Sequence, residues 1–477
     1  MKILVAIASH GHRNDAYLQQ LLDEYASMPY DVHVVVVSNE PRDLGPDVEV
    51  VVGAPTANPW SLPFAHKPIF AERLEQHDLF IYSEDDTLIT QDHIEAFLWA
   101  SSVLEPDEIA GFLRSERGPD GTLYYSTIHN HYHWDVNSVR WRGGETFAHF
   151  TNEHGACYLM TRAQLRRAIA SGGFNVPPHE GKYDLLVSAA TDPYTQCGFR
   201  KLVCISQLPR FTCQHLTNRY IGRTGISAEL LAPQLAELMD TEPGQPEASG
   251  AVRVEPRLPS ARWIKSYYEP CRDDLIALLP DTTKSVLSIG CGWGRTEQAL
   301  LERGIAVTAV PLDRVIGRLA AGHGVRVLPC GLQAAPAALA GEQFDALLIS
   351  GLIHLVDDPV ALLRSYRQLL RPDGLAIASF PNLEHASVRW RRFRRAPALE
   401  HLGDAERSGI HVTSPGLVRR WLDSAGYAMT QLEPQVSGRW RRYHRATLGL
   451  LDGLWAGDYA VVARPRASDL GAARGAA

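Results

Sequence analysis

Ser285–Arg303 reads SVLSIGCGWGRTEQALLER. The opening SVLSI is a short apolar run of strand type, and Arg295–Arg303 has helical spacing. Between them stand Gly290, Gly292 and Gly294. Glycines at a strand-to-helix junction permit a tight turn and let a ligand approach the backbone beside the positive end of the helix. This stretch predicts the first βα unit of a parallel sheet and makes the three glycines candidate cofactor-binding residues.

The alternation continues on both sides of it. Ala306–Val310, Arg326–Pro329, Ala346–Ser350, Leu375–Phe380 and Tyr459–Ala463 read as strands. Pro359–Leu370 and Gly416–Ala425 read as helices, and Trp263–Leu279 as a helix stopped by Pro280. Upstream, Thr241–Ser260 (TEPGQPEASGAVRVEPRLPS) is rich in Pro, Gly and acid and reads as a linker. Before it a first alternation runs through strands Lys2–Ala8, Val32–Val37, Val48–Val52 and Leu79–Tyr82, with a helix at Ala16–Ser27. The expected architecture is α/β, two doubly wound domains in series. The expected boundaries are 1–225, a helix and linker over 226–261, a second domain over 262–465, and a disordered tail over 466–477.

Across 477 residues the chain is 45% hydrophobic and 21% charged, which excludes a mainly disordered or collagen-like polymer. Its net charge of −7 argues against a protein wrapped in nucleic acid. No apolar run reaches the roughly 18 residues of a membrane helix, and Met1–Ser9 lacks the flanks of a signal peptide. Seven cysteines without a CxxC pair suggest neither a disulfide framework nor a structural zinc site. A reducing cytoplasm is the expected compartment.

With Phe344–Ser350, Gly351–Pro359 and Leu370–Leu375 (LRPDGL), the glycine turn resembles class I S-adenosylmethionine-dependent methyltransferases over about 284–427. Phe380–Val388 and Gly409–Thr413 resemble a subgroup linked to bacterial surface polysaccharides. The resemblance implies a Rossmann-like domain binding S-adenosylmethionine. In that family an acid at the end of the second strand takes the ribose hydroxyls; here Pro311 stands after Val310 and Asp313 comes two residues late. Where the family often has an Asp near the adenine, this chain has Cys330–Gln333 (CGLQ). If a sugar hydroxyl is methylated, a base is needed. His354, just past the fourth strand, is the first candidate, then His411 and His385.

In the first half, Leu79–Leu88 (LFIYSEDDTL) places Glu84, Asp85 and Asp86 at the end of a buried strand. Three adjacent carboxylates repel one another, and a divalent cation with oxygen ligands is the simplest compensation; an acidic helix cap is the rival explanation. The placement resembles the DxD motif of GT-A glycosyltransferases, closest to exostosin-like members, over about 1–222. That resemblance implies Mn²⁺ or Mg²⁺ on a nucleotide-sugar donor. It implies nucleotide contacts from Ser9, Arg13 and Asn39, and a phosphate contact from Lys67. It also implies acceptor activation by Asp184 and a further metal ligand in His215.

Three further patterns stand out. His129, His131 and His133 share one face if extended, which suits a transition metal; beside Tyr132, Trp134 and Trp141 the run equally suits a sugar. Val388–Arg395 (VRWRRFRR) and Gly438–Arg445 (GRWRRYHR) set arginines around aromatics. Such runs suit anionic lipid headgroups or a lipid-linked diphosphate at the inner face of a membrane, or are solvated helices with arginine stems over apolar surface. The combined expectation is a bifunctional glycan-assembly enzyme with a nucleotide sugar and a glycan or glycolipid acceptor as partners. It would couple metal-dependent sugar transfer with O-methylation. Rival readings are a methyltransferase whose first domain only binds glycan, and a non-catalytic glycan-binding scaffold.

Overall fold

Lys2–Ser9 (β1) is buried along its whole length after Lys2, as a run of Ile, Leu, Val and Ala must be in a sheet covered on both faces. It pairs in parallel with Asp31–Ser38 (β2) and with Leu79–Glu84 (β4). Asp15–Ser27 (α1) connects β1 to β2, and Val48–Val52 (β3) extends the sheet in parallel. Strand order follows as β3-β2-β1-β4, with Cys157–Thr161 added antiparallel on β4. Chain direction from β1 diverges to either side, so a crevice opens at the carboxyl ends of β1 and β4. The register Ala8↔Glu84 sets the loop after β1 beside the acids after β4.

A second layer closes over that crevice. Leu113–Arg117 (β5) pairs in parallel with Thr212–His215 (β6), and His215 pairs with Thr87 immediately after the acids. Four of the five residues of β5, LRSER, are buried, two of them charged. Leu185–Thr195 (α2), capped by Asp184, packs against Pro59–Ala65 and Cys157–Thr161.

The computed structural model describes residues 1–125, 132–221, 225–242, 252–258, 262–436, 438, 440–446 and 451–466. The chain divides into two compact units, Met1–Pro246 and Glu247–Ala477. The expected helix before the linker is Ala228–Met239, within the first unit. Arg257 and Val254 already hydrogen-bond into the second, through Ser408 O and Lys265 N. The expected tail lies almost wholly outside the described residues.

The second unit is built on Ser285–Cys291 (β7), which leads through the glycine turn into Arg295–Glu302 (α3). It continues with Ala306–Pro311 (β8), Arg314–Gly322 (α4), Arg326–Val327 (β9), Phe344–Ile349 (β10), Leu370–Pro381 (β11), Tyr427–Gln435 (β12) and Asp458–Pro465 (β13). The seven-stranded sheet runs β9-β8-β7-β10-β11-β13-β12, parallel except for β13, which is antiparallel to both neighbours. Val286, Leu348, Ile377 and Val462 form its core with Leu300 and Leu275 from flanking helices. At about 1.5–3 kcal/mol for each such side chain, this burial dominates the unit's stability.

One expected helix is absent. Of Trp263–Leu279 only Asp273–Ile276 is regular helix. Pro270 cannot donate in a helix and biases Glu269 away from helical backbone. The residues before it run instead as an irregular strap across the glycine turn, Trp293 N donating to Tyr267 O at 2.9 Å.

Candidate functional site

In the second unit the glycine turn lies at the carboxyl edge between β8 and β10. Gly290 and Gly294 have φ of +77° and +88°, the left-handed region that other residues avoid. A Cβ on Gly292 would stand 2.3 Å from Tyr267 O, so this glycine is required by the strap itself. Beneath the strap a charged cluster meets the turn. Lys265 Nζ lies 2.6 Å from Glu269 Oε2, and Ser350 Oγ donates to Glu269 Oε1 at 2.9 Å. Arg272 Nη1 donates to Ser350 Oγ, to Ser379 Oγ and to Glu269 Oε1 at 2.9, 3.1 and 3.3 Å. Although burial pushes Glu269 upward, Lys265 and Arg272 hold its carboxyl below the usual range. The space enclosed by this cluster and the turn is about 10 Å³, one water's worth.

Asp313 stands at the start of α4 and accepts from Ile316 N at 2.8 Å, so its carboxylate serves as a helix cap. Pro311 is the last residue of β8 and pairs with Cys291. His354 is 3% exposed, and its Nε2 is 2.9 Å from Trp263 O. Burial pulls it down to about 4, leaving a weak, enclosed base. His411 Nε2 is 3.0 Å from Val356 O. His385 Nδ1 accepts from Ser387 N at 3.1 Å. Each candidate histidine is thus engaged by backbone, which is the plain loop-histidine arrangement.

The first unit gathers most of its expected residues around one cavity of about 340 Å³, lined by Arg13, Glu84, Asp85, Asp86 and His215. Ser9 Oγ donates to Asp85 Oδ2 at 2.7 Å and Asn14 Nδ2 to Asp85 Oδ1 at 2.7 Å. His215 Nε2 is 3.1 Å from Asp86 Oδ2, and its Nδ1 is 2.5 Å from Glu116 Oε1 on β5. Burial pulls His215 down, but its bonds to these two acids outweigh that and raise it. Burial pushes Asp86 up, but His215, Arg114 and Arg219 more than offset this. At Glu84 the balance goes the other way: burial, then the charge of Asp86, outweighs the pull of Arg114 and His215 and pushes it up to about 8. Glu84 Oε1 and Asp86 Oδ1 are buried without a hydrogen bond.

These contacts test the expected cation. Both oxygens of Asp85 already accept hydrogen bonds, and Asp86 faces His215. Among the described residues no group of three or more His, Cys, Asp or Glu side chains is placed to hold a metal ion. The acids therefore do not form a ready cation cage.

Two other expectations change. Lys67 is not at the acids but pairs with Asp192, both buried, beneath Phe64; a buried lysine needs its counter-ion and cannot be spent on phosphate. Asp184 caps α2, accepting from Val187 N at 3.0 Å, while Leu186 and Val187 in the helix's first turn line the cavity. Asn39 holds the loop after β1 through Gly11 N at 2.7 Å. His129 and His131 lie outside the described residues; His133 N donates to Thr151 Oγ1 at 3.0 Å. Asn14, Arg114, Glu116, Arg219 and Trp60 are part of the site and were not singled out from the sequence. Only Asn14, inside the loop SHGHRN, carried a local signal.

Comparison with known proteins places the second unit. Residues 263–432 match the family model described as a methyltransferase domain. A ubiquinone biosynthesis O-methyltransferase of Cereibacter sphaeroides is 34% identical over 113 residues, 23% of this chain and 46% of that protein. One from Xylella fastidiosa is 28% identical over 191 residues, 37% of this chain and 75% of that protein. A solved S-adenosylmethionine-dependent methyltransferase from Archaeoglobus fulgidus is 17% identical, covering 38% of this chain and 86% of that chain with a TM-score of 0.30. The chain spans about half the length of the first of these curated relatives. The second unit carries a methyltransferase domain.

Proposed function

We propose that the chain is an S-adenosylmethionine-dependent O-methyltransferase acting on a glycan hydroxyl, with the first unit serving to bind the glycan or its sugar nucleotide. The observation that carries the reading is the left-handed glycine turn between β7 and α3, set beside the charged cluster of Lys265, Glu269 and Arg272. The methionine end of the cofactor is a zwitterion: Glu269 suits its ammonium, and Arg272 and Lys265 its carboxylate. The cofactor, when bound, supplies an electrophilic methyl group on a sulfonium. The enclosed 10 Å³ space requires the strap over 263–269 to shift when it enters. His354, at about 4, stays neutral at physiological pH and orders the strap through Trp263 rather than driving proton transfer. O-methylation is the chemistry named for the similar proteins and needs only alignment plus a proton acceptor.

A second activity, sugar transfer from a nucleotide sugar in the first unit, is favoured by one feature. Arg13, Arg219 and the half-exposed Trp60 face the acids across the cavity at the carboxyl end of a parallel sheet. In that reading Mn²⁺ or Mg²⁺ must displace Asn14 and His215 from the acids. Incubating the full chain with methyl-labelled S-adenosylmethionine and glycan acceptors tests the main proposal: label in the glycan supports it, and unlabelled glycan across all acceptors refutes it. Melting the chain with UDP-sugars, with and without Mn²⁺, tests the second. Stabilisation that needs both ligands and is lost in Asp86→Ala supports transfer; a shift by sugar nucleotide alone leaves the first unit a binding module.

A further inference from the structure

The two arginine–aromatic runs, fifty residues apart in sequence, meet in the second unit. Ala386–Phe393 (ASVRWRRF) is a helix that buries only Val388, against Leu355, Leu383, Leu399, Leu402 and Ile410. At about 100° per residue, Trp390 and Phe393 fall on the opposite side of this helix, with Arg389 and Arg394 flanking them. Trp390 is 57% exposed and Phe393 87%. Arg394 Cζ lies 4.6 Å above the Trp390 ring. Trp440–Ala446 (WRRYHRA) is a second short helix with no fully buried residue. Its Trp440 ring sits 5.0 Å from that of His385, which caps the first helix. Trp440 and Tyr443 also stack on Trp455, each at 5.2 Å.

Exposure and charge both concentrate here. Of the ten large hydrophobic side chains exposed among the described residues, Trp390, Phe393, Tyr443 and Leu451 belong to this region. Arg389, Arg392, Arg394, Arg395, Arg441, Arg442 and Arg445 are exposed, and among the described residues none of them pairs with a carboxylate. The chain as a whole is −7, so this cationic face is not a consequence of composition.

We propose that these two helices form a docking surface for an anionic lipid bilayer. Trp390 and Phe393 enter the boundary between headgroups and acyl chains, and the flanking arginines pair with lipid phosphates. Aromatics ringed by arginine on the free side of a short helix lying along a surface are the pattern of interfacial attachment. Arginine in particular suits phosphate oxygens through its planar fork. A nucleic acid would use the arginines but leave Phe393, 87% exposed at the helix end, without the hydrophobic gain that a bilayer offers.

The test is co-sedimentation of the full chain with phosphatidylcholine vesicles, with and without phosphatidylglycerol, alongside a gel-shift with duplex DNA. The proposal expects binding only when phosphatidylglycerol is present, weakening with salt. It expects roughly a fivefold loss of affinity for each of Arg389→Gln and Arg394→Gln, and roughly a tenfold or greater loss for Trp390→Ala combined with Phe393→Ala. These side chains are exposed, and unchanged melting of the variants would show that the fold is intact. No binding to phosphatidylglycerol vesicles, equal binding by all variants, or retention by DNA but not by vesicles would each overturn it.

Discussion

Between pH 4.5 and 8 the folded chain holds a proton on Glu84 that an unfolded chain has released, because burial and the neighbouring Asp86 raise its carboxyl to about 8 from 4.5. The sign follows: this contribution to stability is complete below pH 4.5 and is lost as pH rises through 8. Glu84→Gln removes the titration. With respect to this group its stability should stay level where the native chain declines, a relative gain reaching roughly 5 kcal/mol above pH 8. Denaturant melts of the first unit's transition at several pH values check this, and parallel curves for the two proteins would count against the raised, buried carboxyl. The acids themselves were legible in the sequence, since EDD after LFIY has few innocent explanations. Their partners were not. Glu116 and Arg114 sit on a strand, LRSER, whose composition hides its burial, and they reach His215 and the acids only through pairing across about a hundred residues. Lys67 was misread for the same reason: nothing local announces Asp192 as its counter-ion.

At the scale of elements, the glycine turn and the strap depend on each other. Gly292 is tolerated only as glycine because the Tyr267 carbonyl fills the place of a side chain, and Trp293 is bonded to the strap through both its backbone and its indole, the latter reaching Glu269 O at 2.6 Å. Gly292→Ala should lift the strap. We expect a loss of about 1–3 kcal/mol in the second unit and a red shift of tryptophan emission as Trp293 is released. An unchanged melt and spectrum would mean that the strap is not held there. The strand–turn–helix was readable because its apolar run, glycines and helical spacing are contiguous. The strap was read as helix because its apolar spacing is helical, while Pro270 and the pull of the charged cluster decide otherwise. The strand Tyr427–Gln435 was missed too: only its first residue is buried, so it has no apolar run to show.

At the scale of the molecule, strand–helix alternation restarts after the Pro- and Gly-rich stretch, and the chain divides into two compact units, Met1–Pro246 and Glu247–Ala477. Among the described residues no helix is long and apolar enough to cross a membrane. Methyl transfer by this chain depends on whether the second unit takes S-adenosylmethionine. Isothermal titration of the full chain with S-adenosylhomocysteine, the demethylated cofactor, measures this without needing an acceptor. The account predicts one-to-one binding in the native chain, weakened at least about tenfold in Arg272→Gln as a charge-assisted contact is lost. Absence of heat at millimolar ligand, or identical binding by the two proteins, would contradict it.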